Sequence, residues 1–405
     1  MSGDPPPNLC DVAVVGAGIL GLAAARELTS RQPDLRVAVL EKEPEVGFHQ
    51  TGHSSGVIHA GIYYAPGSLK AELCVEGAGR LYEWCEEHGV AHERCGKVIV
   101  ARDESELPAL DELERRGNAN GVPGLRRLDA DGLAEVEPHC VGVAALHSPN
   151  TGIVDFPGVV AALARILRAG GATITTATEV TAMARRNGRT VVTHSRGELR
   201  AKRAVTCAGA WSDRLATAAG ADPDPRIVPF RGAYLTLRPD RRHLVKALIY
   251  PVPDPALPFL GVHLTRRIDG EILLGPTALL VGARDAYDLR HVVARDLRDT
   301  LAWPGTYRVA RRFWRAGAAE LRLAASRRAF AARAARYVPE LTARDVGPGP
   351  AGVRAQAVSR DGRLVDDFVV AQAGGALHVR NAPSPAATSS LALAREIATR
   401  LQTDM

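Results

Sequence analysis

Near the start of the chain, Gly16-Ala17-Gly18-Ile19-Leu20-Gly21 follows an apolar run and opens a helical one. Gly16 permits a tight turn, Gly18 lets the backbone approach a pyrophosphate, and Gly21 allows a helix to pack closely on a strand. The free N–H groups at the helix start then face the phosphates. Glu41 lies 20 residues beyond Gly21, at the end of a second apolar run, and Lys42 follows it. A carboxylate placed there accepts from a ribose hydroxyl. The pattern predicts a dinucleotide site, and its place at the head of the chain favours FAD over NAD.

A second stretch, His49-Gln50-Thr51-Gly52-His53-Ser54-Ser55-Gly56-Val57-Ile58-His59-Ala60-Gly61, is rich in glycine, hydroxyl and imidazole groups. His49 and His53 are four apart, but the glycines oppose a helix and no carboxylate or cysteine joins them, so no metal site is expected. A loop giving N–H and hydroxyl donors to a cofactor suits the composition better. One of its histidines can then act as acid or base.

The elements that must position these groups follow from periodicity. Asp11–Val15 and Arg36–Leu40 read as strands around a helix, a β–α–β unit. Helical pattern spans Ser68–His88 and Phe156–Ala169, the latter with Asp155 near its N-cap and Gly170-Gly171 past its end. Lys97–Ala101, Thr173–Thr176, Val191–Thr193 and Ala204–Thr206 read as strands. From Ile227 to Pro276, short apolar runs broken by Pro, Gly and Asp predict an antiparallel sheet. Residues 288–337 read as helical, and Ser389–Leu401 as a last helix.

Composition bounds the rest. The 405 residues are 46% hydrophobic and 24% charged, an ordinary globular balance for two or three domains. The short tail Asp4-Pro5-Pro6-Pro7 does not resemble a signal peptide, and no apolar run is long enough for a membrane span. The six cysteines form no CxxC pair, which predicts reduced thiols in a cytoplasmic protein. The net charge of +6 is local: Arg308–Arg336 holds nine arginines and Glu320, or +8, leaving −2 elsewhere. General nucleic-acid binding is therefore not expected. Within that segment Ala310, Phe313, Trp314, Gly317, Ala318, Leu321, Ala324 and Ala325 fall at helical spacing. They predict an apolar stripe that either packs on the second domain or lies on an anionic bilayer.

The segment His49–Tyr64 resembles the signature of the L-2-hydroxyglutarate oxidases and dehydrogenases, FAD enzymes of the D-amino-acid oxidase/glycine oxidase superfamily. The resemblance continues through PNTGIVDF (149–156), CAGAWSD (207–213), DPRIVPFRG (224–232), YPVP (250–253), PFLGVHLT (258–265), GPAGVRAQ (349–356) and HVRNAPSPAATS (378–389). It weakens between Leu279 and Ala334. It implies an α/β fold: a Rossmann-type FAD-binding domain and a second α+β substrate domain built on a mainly antiparallel sheet. The expected boundaries are 1–95, 150–225 and 345–405 for the first, and 96–149 and 226–344 for the second.

The resemblance also implies roles. Thr51, His53, Ser54, Ser55 and Gly56 would line pyrophosphate and flavin, and Val180 would hold adenine. Ala208, Gly209 and Trp211 would form a second cofactor segment. Gly352 and Ser384-Pro385-Ala386-Ala387-Thr388 would lie against the flavin. Arg354 would clamp the substrate carboxylate, with Arg231 a candidate for a distal one. Tyr250 would donate to substrate. His59 and His263 compete as the base, His59 being preferred. The implied reaction oxidises an L-2-hydroxy acid, first L-2-hydroxyglutarate, by hydride transfer to flavin N5, with oxygen or quinone as acceptor. Two alternatives stand beside it: an oxidase of another 2-hydroxy or amino acid, and a flavoprotein whose arginine-rich segment binds RNA or membrane. The expected location is the cytoplasm, with weak peripheral contact on the inner face of the membrane where the arginine-rich segment engages lipid.

Overall fold

The computed structural model describes residues 5–254 and 259–403; Asp4 of the expected tail and Pro258 of the PFLGVHLT match lie outside them. Strand β1 (Leu9–Val15), helix α1 (Ile19–Arg31) and strand β2 (Val37–Leu40) form the opening unit. β1 and β2 are parallel, with Val12 opposite Val37 and Val15 opposite Leu40. On the other edge of β1 runs Gly197–Thr206, also parallel, and its end pairs with Ala376–Asn381. Thr173–Thr175 lies beyond β2. Three antiparallel strands (180–186, 189–194 and 369–373) complete an eight-stranded sheet. Side chains alternate between its faces. Val12, Val14, Val37 and Val39 join a core with α1, helix Phe156–Ala169 and helix Ser390–Thr403. Ala13, Val15, Ala38 and Leu40 join a second core.

Helix α2 (Leu69–His88) packs into the first core. It begins where the Ser68 side chain accepts from the Ala71 N–H and ends at Gly89, whose φ of +67° suits a left-handed cap.

The second sheet has nine strands. Arg226–Leu237 pairs antiparallel with Val346–Val358 along its length, from Arg226 opposite Val358 to Leu237 opposite Val346. Leu248–Pro251 lies parallel to Lys97–Ala101, with Leu248 opposite Lys97 and Tyr250 opposite Ile99. Val98, Val100 and Ile249 face one core. Ile99, Leu248 and Tyr250 face the other, together with Val57, Ala60 and Ile62 of the histidine-rich loop. By the same alternation Lys97 shares that second face. The expected boundary at 345 puts Val346–Val358 with the FAD-binding domain, whereas its pairing with Arg226–Leu237 makes it a strand of the nine-stranded sheet; its Gly347, Gly349 and Gly352 weaken the apolar signal that would have marked it.

The arginine-rich segment departs from expectation. It is three helices, Pro304–Arg312, Trp314–Ala325 and Arg327–Ala334, separated at Phe313 and at Ser326. Ser326 is extended, and its side chain accepts from the Ala329 N–H to start the third helix. These breaks spoil a continuous period of 3.6. Val309, Leu323 and Phe330 are buried, whereas Trp314 and Leu321 are each 63% exposed, so the predicted stripe does not pack inward.

Two glycines give opposite expectations. A Cβ at Gly21 would sit 1.9 Å from the Gly16 carbonyl oxygen, while one at Gly79, exposed in α2, meets nothing within 4 Å. Gly21→Ala should cost about 1–3 kcal/mol through overpacking. Gly79→Ala should gain about 0.5–1 kcal/mol from helix entropy. Denaturant unfolding of the two variants checks the signs; stabilisation of Gly21→Ala would refute the packing argument.

Candidate active site

The carboxyl ends of β1, β2 and Gly197–Thr206 open on a cavity of about 450 Å³. Gly16 has φ of +100°, and a Cβ there would lie 2.4 Å from the Cys207 carbonyl oxygen, so the turn has no room for a side chain. Glu41 is buried. Its carboxylate accepts from the Ala17 N–H at 2.7 Å and the Glu43 N–H at 3.0 Å. Burial raises its pKa, and those two N–H groups oppose the rise. Thr51 Oγ1 accepts from the Ile19 N–H at 3.2 Å, which ties the histidine-rich loop to the start of α1.

Gly16, Gly18, Glu41, Lys42, Thr51 and Val180 line one part of the cavity. Ala208, Gly209 and Trp211 line another, and the Lys42 ammonium lies 3.9 Å from the Trp211 ring centroid. Ser54, Ser55, His59 and the whole segment Ser384–Thr388 complete it. Thr388 Oγ1 accepts from the His59 N–H at 3.1 Å. These groups suit a dinucleotide: a turn without side chains, a helix N-terminus, and a buried carboxylate already oriented by backbone donors.

Four expected cofactor residues act from behind the lining. Gly21 supports the turn. Gly56, at φ of +77°, carries the loop past Val154, whose N–H donates to the Gly56 carbonyl at 2.8 Å. His53 Nδ1 donates to the Ala351 carbonyl at 3.0 Å, and its ring stacks on Tyr287 with centroids 3.6 Å apart. A Cβ at Gly352 would come within 2.6 Å of the His53 carbonyl oxygen. His53 and Gly352 therefore seal the loop against the second sheet. His49, too, is engaged: Nε2 with Glu43 at 2.7 Å and Nδ1 with the Tyr287 hydroxyl at 2.9 Å.

A polar cluster lies on the second sheet, next to His59. Burial, then the charges of Lys97 and His263, push the His59 pKa down to about 3, and its Nδ1 is buried without a partner. His263 stacks on Tyr250 at 4.1 Å, and its Nδ1 donates to the Gly261 carbonyl at 2.9 Å, leaving Nε2 as the basic nitrogen. Burial and the charges of Arg354 and Lys97 push the His263 pKa down to about 4. Arg354 has no carboxylate within 4 Å among the described residues; its guanidinium lies 4.5 Å from the Phe259 ring centroid. Tyr234 interacts with Arg354 and with Ser55 of the cofactor loop.

Arg231 is not brought to this cluster. Phe230 is opposite Arg354 in the antiparallel pair, so Arg231 and Arg354 point to opposite faces. The Arg231 Nε donates to the Tyr287 carbonyl at 3.0 Å. Sequence reasoning also passed over Lys97, Tyr63 and Tyr234. For Lys97 a signal existed: a lysine opening the apolar strand Lys97–Ala101, where a solvated lysine has no place.

The family model for FAD dependent oxidoreductases (DAO) matches residues 11–400. The mitochondrial L-2-hydroxyglutarate dehydrogenase of Nematostella vectensis is 49% identical over 412 residues, covering 97% of this chain and 90% of that protein. The Homo sapiens protein of the same name is 46% identical, covering 97% and 88%. Among solved structures, dithionite reduced L-alpha-glycerophosphate oxidase from Mycoplasma pneumoniae with FAD bound superimposes with a TM-score of 0.80 at 24% identity, covering 98% of this chain and 95% of that one. Likeness over so much of each chain leads to one conclusion: this chain belongs to the FAD dependent oxidoreductase family and, within it, with the L-2-hydroxyglutarate dehydrogenases.

Proposed function

We propose that the protein oxidises L-2-hydroxyglutarate to the 2-oxo acid. The observation that carries this reading is Arg354, half-buried and with no carboxylate within 4 Å among the described residues, one residue from the cavity-lining Ala355 and beside His263 and His59, whose pKa values are both depressed. Bound FAD supplies the two-electron oxidant. Arg354 grips the substrate carboxylate with two parallel hydrogen bonds and thereby orients the adjacent carbon. His59 takes the hydroxyl proton at Nδ1. Its depressed pKa keeps it unprotonated at physiological pH, and its Nδ1 has no other partner. His263 and Tyr250 stack behind it, and Tyr250 orients the substrate. The segment Ser384–Thr388 precedes a helix, so its N–H groups favour negative charge at the flavin end of the cavity. On this reading the eight-stranded sheet carries the cofactor and the nine-stranded sheet the substrate.

A second observation bears on the electron acceptor. Trp314 and Leu321 project into solvent among Arg311, Arg312, Arg315 and Arg322, all exposed. Among the described residues no helix is long and apolar enough to cross a membrane. An exposed basic and aromatic face suits peripheral contact with an anionic bilayer, and hence transfer to a quinone in preference to oxygen.

Purified holoprotein should lose its yellow colour with L-2-hydroxyglutarate without oxygen. Arg354→Ala should lose about 2–5 kcal/mol of charged hydrogen bonding, or roughly two to three decades in kcat/KM, while keeping FAD. Lysine should restore it only in part. Unchanged efficiency in the alanine variant would remove Arg354 from the mechanism.

His59→Ala should slow flavin reduction by about 10²–10⁴-fold. Because the His59 pKa lies far below the ordinary 6.5, the wild-type rate should show no His59 limb between about pH 5 and 8. A larger loss in His263→Ala, with FAD retained, would transfer the role to His263.

Vesicle binding tests the surface. Attraction of about 1 kcal/mol per basic residue should pellet the protein with anionic vesicles at low salt and release it at high salt. Trp314→Ala with Leu321→Ser should weaken pelleting; failure to pellet at low salt refutes the contact.

A further inference from the structure

We propose that Lys97 anchors the second carboxylate of a diacid substrate and so makes the site selective for diacids over monoacids. This rests on the reading of Arg354 as the holder of the first carboxylate.

Lys97 is 1% exposed, in the interior of the nine-stranded sheet. Burying an ammonium is costly unless it is paired. Two other buried cations of this chain are matched to a carboxylate. Arg284 and Asp213, both buried, form an ion pair, and Lys70 meets Asp366 at 2.7 Å. Lys97 has no carboxylate within 4 Å among the described residues. Its Nζ lies 4.6 Å from the Tyr63 ring centroid and 5.1 Å from that of Tyr250. The Tyr63 hydroxyl is also buried and unpartnered. A cation and a phenol donor thus gather around one place with no anion supplied by the protein.

The position suits a substrate end. Lys97 acts on both His59 and His263, and Arg354 acts on His263. Both cations, Lys97 buried and Arg354 half-buried, therefore lie close to the base region. A four-carbon stem lets the Lys97 ammonium meet a carboxylate while the Tyr63 hydroxyl donates to its other oxygen. Arg231, the alternative holder of a distal carboxylate, points to the opposite face from Arg354. Burial draws the Lys97 pKa down to about 7, and a carboxylate bound beside it restores the charge.

The test uses holoprotein with L-2-hydroxyglutarate and L-2-hydroxybutyrate as reducing substrates, and glutarate as a non-reacting probe read by flavin absorbance. Lys97→Met keeps length and apolar volume. It should lower the preference for diacid over monoacid by about 100-fold, chiefly through KM, and weaken glutarate binding by a similar factor. Lys97→Arg should retain more glutarate binding than Lys97→Met, and Tyr63→Phe should weaken it by about tenfold. An unchanged preference in Lys97→Met, or an equal loss on both acids, overturns the proposal. Loss of FAD by Lys97→Met also overturns it, since Lys97 would then be holding the fold. If neither hydroxy acid bleaches the wild-type flavin, the oxidation reading fails by itself. Glutarate bound by wild type and lost in Lys97→Met would still support Lys97 as an anion site, and equal binding would sink it.

Discussion

At Gly16 the backbones of three segments meet with no side chain between them, and the rest of the site hangs from that contact. The Gly16 N–H donates to the Leu40 carbonyl at 2.8 Å, and the Cys207 N–H to that of Val15 at 2.8 Å. One residue on, the Ala17 carbonyl accepts from Gly47 at 2.9 Å, and the Ala17 N–H is held by Glu41. Val15, Gly16 and Ala17 thus register β2, the start of the histidine-rich loop and the 207–211 segment at once. A methyl group at Gly16 would push Cys207 away, and Trp211 and Lys42 would follow. The tolerance is set by hard-sphere contact, which gives no gradual loss.

Electrostatics then separates structure from function. The buried pair of Asp213 and Arg284 is fully used: the Asp213 carboxylate also accepts from the Ile227 N–H at 3.0 Å, and the Arg284 N–H donates to Asp296 at 2.8 Å. That network ties the 207–213 segment to the second sheet and leaves no charge for a ligand. Lys97 is the reverse case, a buried cation facing aromatic rings, and the half-buried Arg354 likewise lies against a ring with no carboxylate within 4 Å among the described residues. Rings soften the cost of burial but supply no full negative charge. On the proposed reading, the cost of that burial is offset when an anionic substrate arrives.

Legibility in the sequence followed locality. The β1–α1–β2 unit, Glu41 and the two long helices were readable because each rests on short-range rules: apolar period, glycine spacing and caps. The cofactor segments needed the whole resemblance, since Ser384–Thr388 and Val180 meet the turn only through sheet pairing. What escaped was set by register. Nothing local distinguishes Arg231 from Arg354; their opposite faces follow from Phe230 standing across from Arg354. The arginine-rich stripe misled for a related reason. Its spacing is helical over short stretches, but the breaks at Phe313 and Ser326 redirect the chain, so a projection along one axis does not describe one continuous stripe.

The histidine-rich loop is where both sheets are made to agree. Thr51 holds it to α1, His59 holds it to Thr388, and His53 holds it to Ala351 of the second sheet. Gly352 has to be small because the strand bearing Arg354 passes under the His53 carbonyl, two residues from that arginine. The distance from cofactor cavity to Arg354 is therefore not a matter of two domains approaching by chance surfaces. It is carried by a loop that is hydrogen-bonded at each end and by a strand packed on it without an intervening side chain. In the proposed mechanism, rigid placement of this kind lets the guanidinium and the imidazole act on one substrate carbon, since misplacement of about 1 Å can cost as much as 10²-fold in rate.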